Sequence, residues 1–239
     1  MVSRAAARIR DDRRFFAAMA TALVAATFIG FAPTYYLAAW TNSPALSLLV
    51  GIHGAILTAW LLLYAAQTGL IAANRVDIHR VAGVTGAGLA VAVVVIGVAT
   101  AIVSALTDGG GPHRNQPFFL IFPLTNIALF AAFAFAGIRD RLRAEYHKRL
   151  MLLATTALVV TPLARISRMA GLGFSPPAVG GMLLADLVLA AVAIFDLNQR
   201  GRLHPATIVA GGVFLVSEPL RLVIGHSAAW LAFARWLIG

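Results

Sequence analysis

Apolar runs of membrane-spanning length recur seven times along the chain, near residues 15–40, 45–72, 81–106, 117–138, 149–169, 178–197 and 205–225. Crossing a bilayer takes about 20 apolar residues in a helix, so each run predicts one transmembrane helix. The polar stretches between them are too short to fold as a soluble domain. The expected fold is therefore all-α, a polytopic bundle of seven transmembrane helices forming one domain over 1–239. The first run is longer than a signal-peptide core and ends without a small-residue cleavage pattern, so it reads as an uncleaved span. Thr41-Asn-Ser-Pro44, Asp108-Gly-Gly-Gly-Pro112 and Ser175-Pro-Pro177 supply turn chemistry between runs. Pro205 suits the first turn of the last span, where its missing N–H costs nothing. Residues 226–239 either extend the seventh helix or lie along the membrane interface.

Composition agrees: 60% of residues are hydrophobic and 12% charged, with a mean hydropathy of +0.86, the profile of a membrane protein. The net charge of +10 does not point to nucleic acid, because the basic residues fall between apolar runs, where anionic lipid headgroups account for them. Fourteen of the 19 Lys and Arg precede the first span or follow the second, fourth and sixth, whereas the opposite loops hold only Arg114. The positive-inside rule then sets the N-terminus in the cytoplasm and the C-terminus outside. With no cysteine, disulfides, thiolate nucleophiles and iron–sulfur clusters are excluded.

Three basic turns share a pattern, Arg-x-(Asp/Glu/Arg)-x-His: RVDIH at 75–79, RAEYH at 143–147 and RGRLH at 200–204. Each stands at the mouth of an apolar run, so spans three, five and seven each begin just after a histidine. The expectation is three related hairpins that bring His79, His147 and His204 to one depth. Imidazole nitrogen ligates haem iron and transition metals, and Asp77 and Glu145 would orient the rings as second partners. The alternative is that these histidines touch lipid headgroups and the basic turns reflect topology alone.

A second group of polar residues lies in the outer halves of the spans: Tyr35, His53, Asn126, Arg165, Arg168, Asp186, Glu218 and Arg221. Ionisable groups inside spans are costly and usually face the bundle interior. Glu218 and Arg221 are three apart on one helix face and are expected to pair, while Asp186 suits Arg165. Pro219 between them predicts a kink. The group forms either a ligand cavity or an ion-pair network that holds the outer ends together. On span two, His53, Trp60, Tyr64 and Gln67 form one stripe facing the bundle, read either as interhelical hydrogen-bonding contacts or as a conduit for protons or electrons.

Lys148 is the single lysine, so no mid-span amine exists for a retinal Schiff base. Phosphate-binding Gly-Lys loops, His-Glu-x-x-His and Gly-x-Ser-x-Gly motifs do not occur, and no catalytic set is legible. His147-Lys-Arg-Leu-Met-Leu-Leu-Ala154, Phe31-Ala-Pro-Thr-Tyr-Tyr36 and His53-Gly-Ala resemble a group of bacterial multi-pass membrane proteins, to which no activity is attached. The resemblance runs through most of the chain and implies the bacterial inner membrane. More loosely, histidines at membrane borders resemble oxidase-assembly proteins and di-haem b-type cytochromes. The cytochrome pattern pairs two intramembrane histidines per haem, whereas here His53 alone lies within a span.

Two functional expectations follow. One is a haem- or metal-binding redox or assembly protein using His53, His79, His147 and His204, with haem b or a transition metal at the inner corner. The other is a carrier or receptor for a small or lipidic ligand in the outer cavity. A third role, as an accessory subunit packed against other membrane subunits or a second copy of itself, suits the short loops.

Overall fold

The structure, a computed structural model, describes residues 4–106 and 117–238, with side chains from Arg8 onward. Every expected span is a helix. Helix α1 covers Arg4–Phe31 and continues through a π-helical turn, Ala32–Tyr36; α2 covers Leu48–Ala72 and α3 Val76–Leu106. A short 3₁₀ turn, Pro117–Leu120, leads into α4, Ile121–Arg139; then come α5, Ala144–Met169, α6, Ala178–Arg200, and α7, Pro205–Gly225. A last helix, α8, covers Ala228–Ile238. No strand occurs among the described residues, and seven of the helices are long and apolar enough to cross a membrane. The Gly-rich turn at 108–112 and Arg114 lie outside the described residues.

The distribution of polarity is that of a protein dissolved in lipid. Outward faces are apolar: Val81, Val84, Val91 and Val95 on α3, and Ile208, Val209, Val216 and Val223 on α7, are all exposed. Three charges are sealed inside, while most of the others sit at the ends of the helices. Arg149 and Asp196 are 0% exposed and Arg221 1%, a pattern that water would invert. The chain is thus a multi-pass integral membrane protein embedded in a bilayer. Lengths agree, since α2 with 25 residues spans roughly 37 Å at 1.5 Å per residue.

α5 is the hub, packed against α1, α4, α6 and α7. Small residues let it be approached. Gly30 of α1 sits on Pro162, where an added Cβ would fall 2.5 Å from the Pro162 carbonyl oxygen. Gly181 of α6 sits over Val160 and Ala164, with 2.3 Å to the Val160 carbonyl oxygen for the same atom. Without a hydrophobic driving force between helices in lipid, such close backbone approach is how spans associate.

The helices run further than the apolar runs at the basic end. α3 begins at Val76 and α5 at Ala144, so His79 and His147 lie inside the first two turns of their helices; only His204 stands just before one. At the other end, Pro33 has no N–H to give, and the chain widens into the π turn closed by Leu37 N–H to Ala32 O at 2.8 Å. The chain then returns through residues 37–47, and Ser47 caps α2 by accepting from Val50 N–H at 3.3 Å. Residues 226–238 neither extend α7 nor hang free. Helix α7 ends at Gly225, and Trp230 Nε1 of α8 donates to the Pro117 carbonyl at 3.1 Å, docking α8 on the entry to α4.

Candidate functional site

At the basic end the chain builds a closed knot of charges. Arg149 Nε donates to Asp196 Oδ1 at 3.1 Å and Arg149 Nη2 bonds the same oxygen. Arg149 Nη1 donates to Glu145 Oε2 at 2.9 Å and to its carbonyl at 3.0 Å. Asp196 Oδ2 accepts from Thr207 Oγ1 at 2.6 Å and His204 N–H at 3.0 Å. Around this core, Glu145 also takes Lys148 Nζ at 2.6 Å and Arg200, and Lys148 reaches Asp12 of α1. Four helices, α1, α5, α6 and α7, are tied at one level, and each buried charge has a partner, as a low-dielectric interior requires. The knot is structural.

The three histidines do not converge. His79 and His147 meet edge to face with ring centroids 6.2 Å apart, and His147 Nδ1 bonds the Gly137 carbonyl at 2.8 Å. His204 lies apart against Tyr146, 4.7 Å between centroids. Its Nδ1 accepts from Ala206 N–H at 3.1 Å, capping α7. That bond needs a lone pair, so the ring is neutral. Burial and then Arg149 and Arg200 hold its pKa below the ordinary 6.5, against the pull of Asp196 and Glu145. Asp77 pairs with Arg75 at 3.4 Å and Glu145 with the cations above. No group of three or more His, Asp or Glu is placed to hold a metal among the described residues.

The other end holds a cavity of about 640 Å³ between α2, α3, α4 and α5. Its polar lining is His53, Thr100, Ser104, Asn126, Thr161, Arg165 and Arg168, and its walls are apolar, with Phe31, Leu57, Val93, Ile127 and Leu158 among them. Arg165 Nη1 donates to Thr34 Oγ1 at 2.7 Å, and its guanidinium lies 4.6 Å from the Phe31 ring centre. Thr34 comes from the π turn and Phe31 from the end of α1 just before it. His53 Nδ1 and Thr100 Oγ1 are buried without a hydrogen-bond partner. Among the described lining residues there is no carboxylate.

No family profile, no curated protein and no solved structure matches this chain. Function must therefore be read from the geometry, and the outer group divides. Of the predicted cavity residues, His53, Arg165 and Arg168 line the space. Tyr35 stands beside it, its hydroxyl donating to the Gly51 carbonyl at 2.9 Å and its ring packed on Gly54. Arg221 is one layer back, with Nη1 donating to Asn126 Oδ1 at 2.7 Å and Nη2 to Ser217 Oγ at 2.9 Å. The Glu218–Arg221 ion pair expected from their spacing is thus replaced by bonds to neutral groups. The expected Asp186–Arg165 pair is also absent: Asp186 lies instead beside Glu218, across the α6–α7 contact.

The stripe on α2 does face inward, with Trp60 and Tyr64 buried. Trp60 Nε1 donates to Thr155 Oγ1 at 3.3 Å and its ring meets Phe130 edge to face. Sequence reasoning missed the buried Arg149–Asp196 pair. The four-residue spacing of Glu145 from Arg149 signals that local ion pair, but no spacing links Arg149 to Asp196, 47 residues away.

Proposed function

We propose that this protein binds an amphiphile with an anionic head group in the cavity between α2, α3, α4 and α5, as a carrier or receptor in a bacterial inner membrane with its basic end in the cytoplasm. The observation that carries the reading is the lining: two guanidinium groups, an imidazole, an amide and three hydroxyls set among apolar walls. Guanidinium recognises carboxylate or phosphate through paired donors, and the apolar walls accept a hydrocarbon body. A small ligand site of this kind is concave, apolar and fixed by a few polar groups. A haem- or metal-binding role draws less support, because His204 is engaged as a helix cap and His53 stands at the opposite end from His79 and His147.

The test is equilibrium binding of radiolabelled oleate to the purified protein in lipid nanodiscs, with oleyl alcohol as the uncharged competitor. Saturable binding of oleate that the alcohol displaces poorly is expected. A charged hydrogen bond is worth about 1.5–3 kcal/mol, so Arg165→Ala is expected to weaken binding about tenfold or more. Arg168 is exposed, so Arg168→Ala leaves the fold intact and is expected to weaken binding as well. Equal affinity for the acid and the alcohol, or no effect of either variant, would overturn the reading.

A further inference from the structure

Two carboxyl groups face each other inside spans: Arg221 Nη1 of α7 meets Met182 Sδ of α6 at 3.8 Å, and one turn further along this antiparallel contact come Glu218 on α7 and Asp186 on α6. One oxygen of each, Asp186 Oδ1 and Glu218 Oε1, is buried without a partner. Arg221, 1% exposed and one turn along α7, is the cation that Glu218 feels, and its Nε has no acceptor. No carboxylate reaches that guanidinium as an ion pair, since its two terminal nitrogens go to Asn126, Ser217 and the Met182 sulfur. The three groups therefore form a linked set in which charge is held at short range but uncompensated by direct contact.

The charge count decides its state. With both carboxyls ionised, two negative charges against one positive leave a net −1 within the spans, where Asp186 and Glu218 are half-buried and Arg221 is buried. One proton on the pair makes the set neutral. Adjacent like charges in a low-dielectric site do not both ionise, and the proton belongs to the pair as a unit. On the helices packed against α6 and α7, Arg139 of α4, Glu145, Tyr146, His147, Lys148 and Arg149 of α5, and Asp196 and Arg200 of α6 belong to the basic end; at the outer end stand Arg165 and Arg168 of α5, His226 just past α7 and the exposed Arg235 of α8, while α4 presents the neutral amide of Asn126. Asn126 is the bridge. Its Oδ1 is fixed by Arg221, and the same side chain lines the cavity.

We infer that the Asp186–Glu218 pair is a proton-binding site holding one exchangeable proton, linked through Arg221 and Asn126 to the cavity. The linkage rests on the reading of the cavity as an anion site; the proton site does not. Losing the proton places a net negative charge behind Asn126, so anion affinity falls as pH rises. By linkage, binding the anion takes up a proton. Pro219, which cannot donate to the Leu215 carbonyl, leaves α7 without one backbone bond next to Glu218, which makes that turn the place where the pair can adjust.

The experiment has two arms. Infrared spectroscopy of the purified protein in nanodiscs, with no ligand added, reads protonated carboxyl directly. A carboxylic-acid carbonyl band is expected at neutral pH, lost or shifted in both Asp186→Asn and Glu218→Gln, which keep size and shape. If neither substitution alters a carboxylic-acid band at any pH across the neutral range, the proton site is overturned, whether or not the cavity binds oleate. The second arm measures oleate affinity against pH. Affinity is expected to weaken with rising pH in the wild type and to become flat in Glu218→Gln. An acid band that depends on Glu218, together with pH-independent oleate binding, would overturn the linkage alone. Absence of oleate binding at every pH would instead overturn the anion-site reading and the linkage with it, while leaving the proton site to the infrared result.

Discussion

Asp196 shows how much one side chain can decide when it lies where water cannot reach. Its two oxygens serve Arg149 on one side and Thr207 with the His204 N–H on the other, so α5, α6 and α7 share one carboxylate. Removing it strands Arg149, itself 0% exposed, and breaking a buried pair by deleting one partner costs about 3–5 kcal/mol. Asp196→Ala is expected to lose about that much in reversible SDS unfolding from mixed micelles. Arg149→Met combined with Asp196→Leu is expected to regain most of it, because no unpaired charge then remains. A double variant as unstable as the single one would show that the pair contributes more than charge neutrality. This pair was not legible in the sequence. Arg149 counts as one more basic residue in a turn and Asp196 as a polar residue at the end of a run, and nothing in a linear pattern says that two such ends are buried against each other.

His204 carries a pH consequence at the same scale. Its folded pKa lies below the ordinary imidazole value of 6.5 through burial and the nearby Arg149 and Arg200. The unfolded chain therefore binds the proton more tightly than the folded one. This contribution to stability is fully present above 6.5 and is lost as pH falls towards the lowered folded value. Asn caps a helix without titrating. Melting curves against pH are expected to show wild-type stability dropping on acidification relative to His204→Asn, with the two converging in slope above neutrality. Parallel curves throughout would mean that the ring is not held neutral.

At the scale of elements, the spans are legible because a 20-residue apolar run in lipid has few alternatives to a helix. Their neighbours are not. The repeated Arg-x-(Asp/Glu/Arg)-x-His turns suggest three equivalent hairpins, yet α5 packs most extensively against α4, α6 and α1, and α6 lies closer along α5 than along α7. Small residues, not the turns, select those contacts. Gly181→Ala is expected to destabilise by about 1–3 kcal/mol through overpacking, because the added methyl would stand 2.3 Å from the Val160 carbonyl oxygen. Gly51, with nothing within 4 Å of an added Cβ, supplies the comparison: Gly51→Ala is expected to change stability by less than about 1 kcal/mol. Equal losses at both sites would mean that α6 does not rest on α5 as closely as described. The outer polar group divides for a related reason. Helical spacing shows which residues share a face, as Glu218 and Arg221 do, but opposite charges on one face do not pair when better-placed neutral partners, here Asn126 and Ser217, come from other residues.

For the whole molecule, the faces turned to lipid are apolar and the two ends of the bundle differ in how their polar groups are used. The knot at the basic end is fully paired and closes the bundle there, whereas the far end keeps a cavity with guanidinium groups along its walls. A bundle closed at one end and hollow at the other leaves the cavity open to one side of the membrane or to the lipid beside it. The arginines give an expectation for that side: the turns at 73–75, 140–143 and 201–204 share the basic residues with the N-terminus, and the positive-inside rule predicts them in the cytoplasm. Reporter fusions make the test. Alkaline phosphatase, active outside the cell, is expected to be silent when fused after residues 75, 141 or 202 and active after 45, 172 or 227. A phosphatase-active fusion at any one of the three basic turns would place arginine-rich connections on opposite faces, which the antiparallel order of the helices does not allow. A complete reversal, with activity at all three basic turns and none at the others, would leave the fold intact and move the mouth of the cavity to the cytoplasm.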